Sequence, residues 1–358
     1  KLKNRRDRTG LDEQLESLFP GQSFTGRIVP VEHHLAHLSS AFHVSPFDEA
    51  VIVSVDGFGD FASGAWGVGQ GTNIEVEKRV YFPHSLGNFY QAMTQYLGFP
   101  HYGDEYKVMG LAPYGKPTYI DQMHQLVNLN KDGSYSLSLD YFVHHKENVV
   151  YEWDDGAPVF GRIFSDKLTD LLGPPREKDE PLKQHHKDIA HSVQAMYEKA
   201  FFHLLNTLHD WHGLDCLCLS GGCAMNSVAN GKIYRRTPFK KTYVQSAAGD
   251  AGGAIGAAFI AAYAQENTEK SQHKGSLQER DMVTSHNGVY LRGRRGEDAL
   301  HEQPDKNRPQ VANTSRKFVM DHAYWGPQFS NEVIHTILEY KADELTNEDC
   351  VVELVSHV

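Results

Sequence analysis

Several features that mark common classes of protein are scarce or missing in this sequence of 358 residues. It has only four cysteines and no Cys-x-x-Cys pair, so buried, reduced thiols in a cytoplasmic protein are favoured over a metal or redox role. No apolar run reaches the roughly 18 residues that a transmembrane helix needs. The net charge is −11 and no long basic run occurs, so the sequence predicts a protein that binds neither membranes nor nucleic acid.

The N-terminus has neither an initiator methionine nor the apolar segment of a signal peptide, so we expect the chain to begin partway through a protein.

Composition divides the chain into four parts. Residues 1–29 are polar and are interpreted as a remnant, and residues 30–264 have the apolar content of a folded domain. Residues 265–316 are predicted to be a linker or insertion, and residues 317–358 to begin a truncated second domain.

Strands, glycine turns and helices alternate along the larger part, which predicts an α/β fold with ligand-facing loops at the strand ends. AVIVSV at 50–55 is a continuous apolar run typical of a buried strand. An amphipathic helix is predicted at 188–213, where Gly213 would end it. The units that follow are a strand at 214–219, a glycine turn at 220–226, a strand at 241–245, a glycine turn at 246–253 and a helix at 254–263.

Three histidines lie within five positions of VEHHLAHLSSAF, residues 31–42. If this stretch is helical, His33 and His37 lie one turn apart on one face and can bind the same cation. His34 points about 100° away and is expected to lie outside that pair. It also stands where a zinc protease of the His-Glu-x-x-His type has its glutamate, so that class is disfavoured. Since the chain has 21 histidines, about one such pair is expected by chance, and the spacing alone does not decide.

Two aspartates stand in glycine-rich turns that follow predicted strands. Asp56 lies in VDGFGD and Asp250 in AAGDAGG, where glycine lets the backbone approach a ligand closely. The first turn is not an EF-hand loop, because Phe61 occupies the position that needs glycine, and an ordinary Asp-Gly turn is the alternative. With His33 and His37 the two aspartates form a mixed nitrogen and oxygen set, which suits iron, manganese or zinc better than calcium.

A third element is the glycine turn SGGCAMN at 220–226, where a strand leads through Gly221 and Gly222 into a helix. Free N–H groups and the helix dipole at such a turn can bind an anion. The turn is neither a Walker A loop, since no Gly-Lys-Ser/Thr follows, nor a Gly-x-Gly-x-x-Gly fingerprint. Phosphate binding and a plain structural turn therefore both stay open at this point.

Five blocks follow one another in the sequence: HHLAH, AVIVSVDGFGD, GDEYKVMGLAPYG (103–115), SGGCAMNSVANGKI (220–233) and AAGDAGGAIGAA (247–258). Together they resemble the carbamoyltransferase family, which includes nodulation-factor, cephamycin and tobramycin O-carbamoyltransferases. The resemblance implies an actin-like, sugar-kinase-like ATPase fold for residues 30–264. HAYWGPQFSNEVI (322–334) is similar to the entry into the family's YrdC-like α/β domain, so 317–358 are expected to begin that domain.

The resemblance also implies a reaction and its partners. The YrdC-like domain, normally in the same chain, would make carbamoyl-adenylate from the substrates carbamoyl phosphate and ATP. The first domain would then pass the carbamoyl group to a hydroxyl of a small-molecule acceptor, such as a sugar or a natural product. A divalent metal, with iron expected before manganese or zinc, would assist the transfer.

Site residues are carried over from the family's motifs. The metal ligands would be His33, His37, Asp56 and Asp250. The nucleotide-binding residues would be Gly57, Gly221, Gly222, Asn226, Asn230 and Gly249. Lys107, within EYKVMGLAPYG, is the candidate catalytic residue near the adenylate, and the general base has no candidate.

The sequence departs from the family pattern and has two rival interpretations. Family members begin with a strand and a His-Asp loop that this chain lacks before residue 30, and most of the YrdC-like domain is absent, so the chain is expected to be incomplete. One rival is the tRNA threonylcarbamoyl transferase, which has the same fold; VMGLAPYG, the HAYWGP segment and the acidic balance count against it. The other rival is a non-catalytic module that binds a metal or a nucleotide.

Overall fold

The computed structural model of the protein divides into two units, Lys1–Val319 and Met320–Val358. The residues that it describes are 11–21, 23–147, 149, 151–154, 157–273, 282–285, 288–291, 318–323 and 330–340. Most of the predicted linker at 265–316, most of 317–358 and the first ten residues lie outside this set. The domain boundaries given above therefore stay predictions.

The first unit holds all but one of the elements named here. Its strands are β1 (Glu49–Gly59), β2 (Ala62–Gln70), β3 (Asn73–Tyr81), β4 (Val127–Leu129), β5 (Tyr135–Leu137), β6 (Tyr151–Asp154), β7 (Ala157–Phe160), β8 (Cys216–Ser220), β9 (Lys241–Val244), β10 (Met282–Ser285) and β11 (Gly288–Leu291). Its helices are α1 (Leu11–Leu18), α2 (His33–Phe42), α3 (Leu86–Tyr96), α4 (Glu105–Leu111), α5 (Ile120–Leu126), α6 (Asp166–Leu172), α7 (Gln184–His212), α8 (Ser227–Asn230), α9 (Ile233–Arg236) and α10 (Asp250–His273). Short 3-10 helices span Ala112–Tyr114, Leu139–Tyr141 and Gly222–Met225. The second unit contains α11 (Asn331–Tyr340).

A five-stranded mixed sheet with the order β3-β2-β1-β8-β9 forms the centre of the first unit. Strands β1, β2 and β3 are an antiparallel meander, and β8 and β9 extend it parallel to β1. Pairing of β1 with β8 runs as far as Ser54 opposite Ser220. Because parallel strands end at the same edge, Asp56 and Gly221 follow at one edge of the sheet. The predicted α/β class is confirmed.

Helices cover both faces of the sheet. Along β1, Val51, Val53 and Val55 point into one core with the buried residues of α3 and α7. Ala50 and Ile52 point into the other core, with α2 and α10. This alternation of buried residues is what a strand covered on both sides requires, and it explains why AVIVSV has no polar face. The predicted buried strand is confirmed.

Close packing of α2 and α10 brings two parts of the chain together. A Cβ atom on Gly256 would lie 1.8 Å from the carbonyl oxygen of Ala36, so only glycine fits at this crossing. The hydroxyl of Ser39 donates to the Gly256 carbonyl at 2.8 Å. The helix begins at Asp250, four positions before the predicted start at 254, so Gly252 and Gly253 belong to its first turn and do not form a loop. As a result, Asp250 lies beside the first turns of α2.

The long helix α7 matches the predicted element and begins one turn before it. Gly213 ends it in the left-handed conformation, with φ of +65°, which is the predicted cap. Among the helices that the structure describes, none is both long and apolar enough to cross a membrane.

None of the three cysteines in the described part of the chain forms a disulfide. Cys218 is fully buried in β8, as predicted, while Cys216 and Cys223 are only partly buried. Cys350 lies outside the described residues.

Candidate metal centre

Four side chains from three separate parts of the chain meet near the C-terminal end of β1. They are His33 and His37 of α2, Asp56 of β1 and Asp250 of α10, and one donor atom from each lies within 4.8 Å of all the others. Nε2 of His33 is 3.0 Å from Nε2 of His37, 3.1 Å from Oδ2 of Asp56 and 3.6 Å from Oδ1 of Asp250. Nε2 of His37 is 3.7 Å from the same Asp56 oxygen and 3.5 Å from the same Asp250 oxygen. The structure thus brings together the four residues that the sequence analysis names as metal ligands.

These spacings fit a shared divalent cation. Ligand atoms about 2.0–2.2 Å from one ion stand about 3.3–3.6 Å apart in tetrahedral geometry, and about 2.8–3.1 Å apart at neighbouring octahedral positions. The five separations given above, 3.0 to 3.7 Å, lie within or close to these two ranges. Two imidazole nitrogens and two carboxylate oxygens are also a donor set that first-row transition metals accept. The residues fit such an ion, and its identity stays a prediction.

Two carboxylates secure the first turn of α2, which carries both histidines. Glu32 is the N-cap residue, and its side chain accepts hydrogen bonds from the backbone N–H groups two and three positions later, at 3.1 and 2.8 Å. Glu32 is itself paired with Arg79 of β3 at 3.1 Å. Asp60, in the turn after β1, accepts from the backbone N–H of His33 at 3.0 Å. The start of the helix is therefore tied to the sheet on two sides.

Asp56 lies in an irregularity of the sheet and is held at one oxygen. The register between β1 and β2 shifts between Val55 and Gly59, so Asp56 stands in a bulge, a feature that often re-aims a side chain. Its Oδ1 accepts from the backbone N–H of Gly222 at 2.8 Å. Its Oδ2 faces the two histidines. The ring of His33 in turn packs so closely on Gly59 that a Cβ atom there would lie 2.0 Å from it.

The charge state of Asp56 suits a ligand. Burial alone would raise the pKa of its carboxyl group, but hydrogen bonds from His33, His37 and the Gly222 N–H outweigh burial and hold the pKa well below its usual range. Burial likewise lowers the pKa of His33, but the hydrogen bond to Asp56 and the charges of the nearby carboxylates outweigh it, so the pKa is raised. Asp56 is consequently ionised and able to bind a cation.

His34 is a neighbour of the centre and not one of its four members. It is fully buried, and its Nδ1 lies 3.0 Å from the hydroxyl of Ser54 on β1. Its ring centroid is 5.2 Å from that of His33. Burial is the main cause that lowers the pKa of His34, so it favours the neutral form. The helical phase used in the sequence analysis predicts this separation of the three histidines correctly.

The glycine turn after β8 is constrained from within the protein. Gly221 has φ of +86°, and a Cβ atom there would lie 2.2 Å from the carbonyl oxygen of Val55. A Cβ atom on Gly222 would lie 2.9 Å from Oδ1 of Asp56. Both glycines are thus required for the close approach of this turn to β1. Nucleotide binding by the turn stays a prediction.

The two predicted asparagines brace the same turn. Oδ1 of Asn226 accepts from the backbone N–H of Ala229 at 3.0 Å, and its amide pairs with that of Gln194. Nδ2 of Asn230 donates to the carbonyl of Ala224 at 2.7 Å. Their side chains therefore shape the backbone that a nucleotide would contact.

The remaining predicted residues are placed as follows. A Cβ atom on Gly57 would meet no described atom within 4 Å, and one on Gly249 would meet only Cε of Met225, at 3.7 Å. Both glycines are half-buried and have space where a side chain would lie. Nζ of Lys107 forms an ion pair of 2.6 Å with the buried carboxylate of Asp104. The position of Lys107 relative to an adenylate stays a prediction.

Sequence reasoning missed three residues that hold α2 or the glycine turn by hydrogen bonds. Glu32 directly precedes the helical run, where an N-cap residue is expected, and this signal could have identified it. Asp60 lies in the same glycine-rich turn as Asp56, but its contact with His33 depends on the tertiary fold. Nothing in the sequence indicates the contact of Gln194 with the glycine turn, because polar residues on a long amphipathic helix usually face solvent.

With this geometry in view, comparison with known proteins defines the class. Residues 18–259 match the model of the family described as the carbamoyltransferase N-terminus. The match covers well over half of the chain, and the chain belongs to the carbamoyltransferase family. The resemblance stated from the five motif blocks is confirmed.

Individual relatives agree with the family. The chain is 44% identical to the protein sll1178 of Synechocystis. It is 40% identical to the nodulation protein NolNO of Sinorhizobium fredii and 38% identical to the nodulation protein NolO of Bradyrhizobium diazoefficiens. Each of these matches covers 63–65% of this chain. The matched region covers 35%, 31% and 38% of these relatives, so the chain spans about a third of their length. A crystal structure of T. kodakarensis HypF aligns with a TM-score of 0.36 and 18% identity over 72% of this chain and 39% of that one, a similarity too low to establish a common fold.

Proposed function

We propose that the protein is an O-carbamoyltransferase. It moves a carbamoyl group from carbamoyl-adenylate, made from carbamoyl phosphate and ATP, to a hydroxyl of a small-molecule acceptor such as a sugar or natural product. The observation that carries the proposal is the convergence of His33, His37, Asp56 and Asp250 in a chain of the carbamoyltransferase family. Transfer from an adenylate needs fixed positive charge beside a phosphate, and this donor set is suited to hold it.

We further propose that residues 30–264 have an actin-like, sugar-kinase-like fold and that 317–358 begin a YrdC-like domain. The mixed sheet supports the first part, since an antiparallel meander is extended by two parallel strands and helices cover both faces. The second part rests on the resemblance of residues 322–334.

Each of the four residues has a distinct task. A bound divalent cation, with iron as the first candidate, would neutralise phosphate charge and orient the mixed anhydride for attack. His33 and His37 present two Nε2 atoms from a helical turn that carboxylates hold in place. Asp56 stays ionised and is fixed by the Gly222 N–H. The Asp250 side chain is 75% exposed, so it forms the side of the centre that faces solvent, from which substrates would enter.

The nucleotide is proposed to lie along the backbone at Gly57, Gly221 and Gly249, beside the metal centre. Gly222, Asn226 and Asn230 hold the turn in the shape that the nucleotide would contact. Lys107 would contribute a cation near the adenylate, with Asp104 fixing its position.

The test is mass spectrometry of products formed by the full-length protein from carbamoyl phosphate and ATP, with a panel of hydroxyl compounds and, separately, tRNA. The proposal predicts a carbamoylated small molecule, formed by the wild type and lost in a His37→Ala control. Modification of tRNA instead would identify a threonylcarbamoyl-type transferase. Binding of metal and nucleotide without any carbamoyl-phosphate-dependent turnover of ATP would identify a binding module. Either of these last two results contradicts the proposal.

A further inference from the structure

A buried polar network connects α7 to the glycine turn at the end of β8. Its centre is Gln194, which is 3% exposed. Nε2 of Gln194 donates to Oδ1 of Asn226 and to Oε1 of Glu198, each at 3.0 Å. Oε1 of Gln194 accepts from Nδ2 of Asn226 at 3.0 Å and from the hydroxyl of Tyr90 at 2.8 Å. Both hydrogens and both lone pairs of this amide are therefore used.

The partners of the Gln194–Asn226 amide pair fix its orientation. Glu198 also accepts from Nζ of Lys232 at 2.5 Å, and an ionised carboxylate can only accept, so Nε2 of Gln194 must face it. Oδ1 of Asn226 also accepts from the backbone N–H of Ala229 at 3.0 Å, which caps α8. Reversing either amide would break these bonds in a buried region, where an unpaired polar group is costly. The network therefore has a single favourable arrangement.

The turn held by this network is also the one that orients Asp56. Asn226 closes the turn that begins at Gly222, and the N–H of Gly222 donates to Oδ1 of Asp56 at 2.8 Å. That bond leaves the other oxygen of Asp56 directed at the histidines. A second contact from α7, in which the Tyr197 hydroxyl donates to the Cys223 carbonyl at 2.9 Å, reaches the same turn.

We propose that Gln194 is a positioning residue for the metal centre: through Asn226 and the glycine turn, it keeps the Gly222 N–H where it fixes Asp56 for metal binding. The proposal rests on the proposed metal binding and assigns α7 a task beyond packing. A purely structural role for Gln194 predicts a less stable protein whose folded form binds metal as tightly as before. A positioning role predicts weaker metal binding by the folded protein itself.

The experiment compares two substitutions in the same helix. Gln194→Met keeps the length of the side chain and removes all four hydrogen bonds of the amide. Ser192→Ala is the matched control. The buried Ser192 hydroxyl donates to the Asp188 carbonyl at 2.8 Å and accepts from the Tyr119 N–H at 3.1 Å, and neither partner belongs to the glycine turn. Each purified protein is titrated with Co²⁺, which gives a dissociation constant and the visible absorption of the bound ion. Thermal unfolding and hydrogen exchange of residues 221–226 are measured without metal.

We expect Gln194→Met to weaken Co²⁺ binding by about 10- to 100-fold, as loss of groups that support metal ligands usually does, and to change the absorption band. Exchange in the turn should become faster. Ser192→Ala should lower the unfolding temperature but keep the dissociation constant within about twofold. A folded Gln194→Met protein with an unchanged constant and spectrum overturns the proposal.

Two further outcomes are also decisive. If Gln194→Met does not fold, Asn226→Ser replaces it, because a serine hydroxyl can still cap the Ala229 N–H while both bonds to Gln194 are lost; it must show the same weakening. If the wild type binds no Co²⁺, the proposed metal centre is contradicted. Hydrogen exchange of residues 221–226 in the metal-free proteins then shows separately whether Gln194 holds the glycine turn. If exchange is unchanged in Gln194→Met, Gln194 does not hold the turn and that part of the proposal is contradicted as well.

Discussion

Gly222 and Asp56 are 166 positions apart in the sequence, yet the backbone N–H of Gly222 donates a hydrogen bond of 2.8 Å to Oδ1 of Asp56. The bond joins the turn after β8 to the bulge near the end of β1. It uses one oxygen of the carboxylate as a support and leaves Oδ2, 3.1 Å from Nε2 of His33, to face the centre. The glycine turn is therefore part of the support of the candidate metal centre.

The first prediction concerns this contact. Gly222→Val should weaken metal binding by about 10-fold or more, because its Cβ atom would lie 2.9 Å from Oδ1 of Asp56 and displace the carboxylate. Gly231→Ala, where a Cβ atom would lie 3.4 Å from the Ser227 carbonyl, is the control and should bind metal as the wild type does. Isothermal titration calorimetry with Zn²⁺ or Co²⁺ measures both. Equal affinity in Gly222→Val would show that the turn does not set the position of Asp56.

The second prediction separates the three histidines. His33→Ala and His37→Ala should each lose most of the bound metal, since the loss of one of four ligands opens the coordination shell. His34→Ala should keep the metal but unfold more easily, by about 1–3 kcal/mol, because it leaves the buried Ser54 hydroxyl without its partner. Metal content by plasma mass spectrometry, together with chemical denaturation, measures both effects. Metal loss confined to His34→Ala would contradict the assignment.

The third prediction contrasts the two aspartates. Asp56→Ala should reduce both metal binding and stability, because the half-buried Gly222 N–H loses its ionised acceptor, at a cost of about 1–3 kcal/mol. Asp250→Ala should reduce metal binding with little change in stability, because its side chain is 75% exposed. Denaturation of the metal-free proteins compares the two. An equally large loss of stability in Asp250→Ala would argue against this division of roles.

The fourth prediction tests the helix crossing that places Asp250. Gly256→Ala should destabilise the protein by about 1–3 kcal/mol or more, because its Cβ atom would lie 1.8 Å from the Ala36 carbonyl oxygen and push α10 away from α2. Metal affinity should fall with it. Gly253→Ala, whose Cβ atom would meet only the Ala36 methyl at 3.9 Å, is the control and should be near neutral. Denaturation curves that rank the two substitutions in the opposite order would contradict the packing described here.

Local patterns predict a large part of the fold and of the site. The apolar run at 50–55, the helical spacing of His33 and His37 and the cap at Gly213 all depend on neighbours in sequence, and the structure has each of them. Asp56 could be named as a candidate because it follows a buried strand in a glycine-rich segment. These features are local, so a single sequence contains them.

Features that depend on distant contacts were not accessible in the same way. The start of α10 was predicted at 254 and not at Asp250, because the glycines of its first turn, Gly252 and Gly253, are also typical of a loop. The contact of Gly222 with Asp56 and the amide pair of Gln194 with Asn226 join strands and helices far apart in the chain. No periodicity or spacing within one segment reports such pairs.

We propose above all that His33, His37, Asp56 and Asp250 hold one divalent cation. The most direct measurement is anomalous X-ray diffraction from crystals of the purified protein grown with Fe²⁺, Mn²⁺ or Zn²⁺. We expect one anomalous peak per chain at this centre, with Nε2 of both histidines and one oxygen of each aspartate as its protein ligands, at about 2.0–2.2 Å. Crystals that bind metal elsewhere, or that keep the four side chains in place without a peak between them at saturating metal, would contradict it.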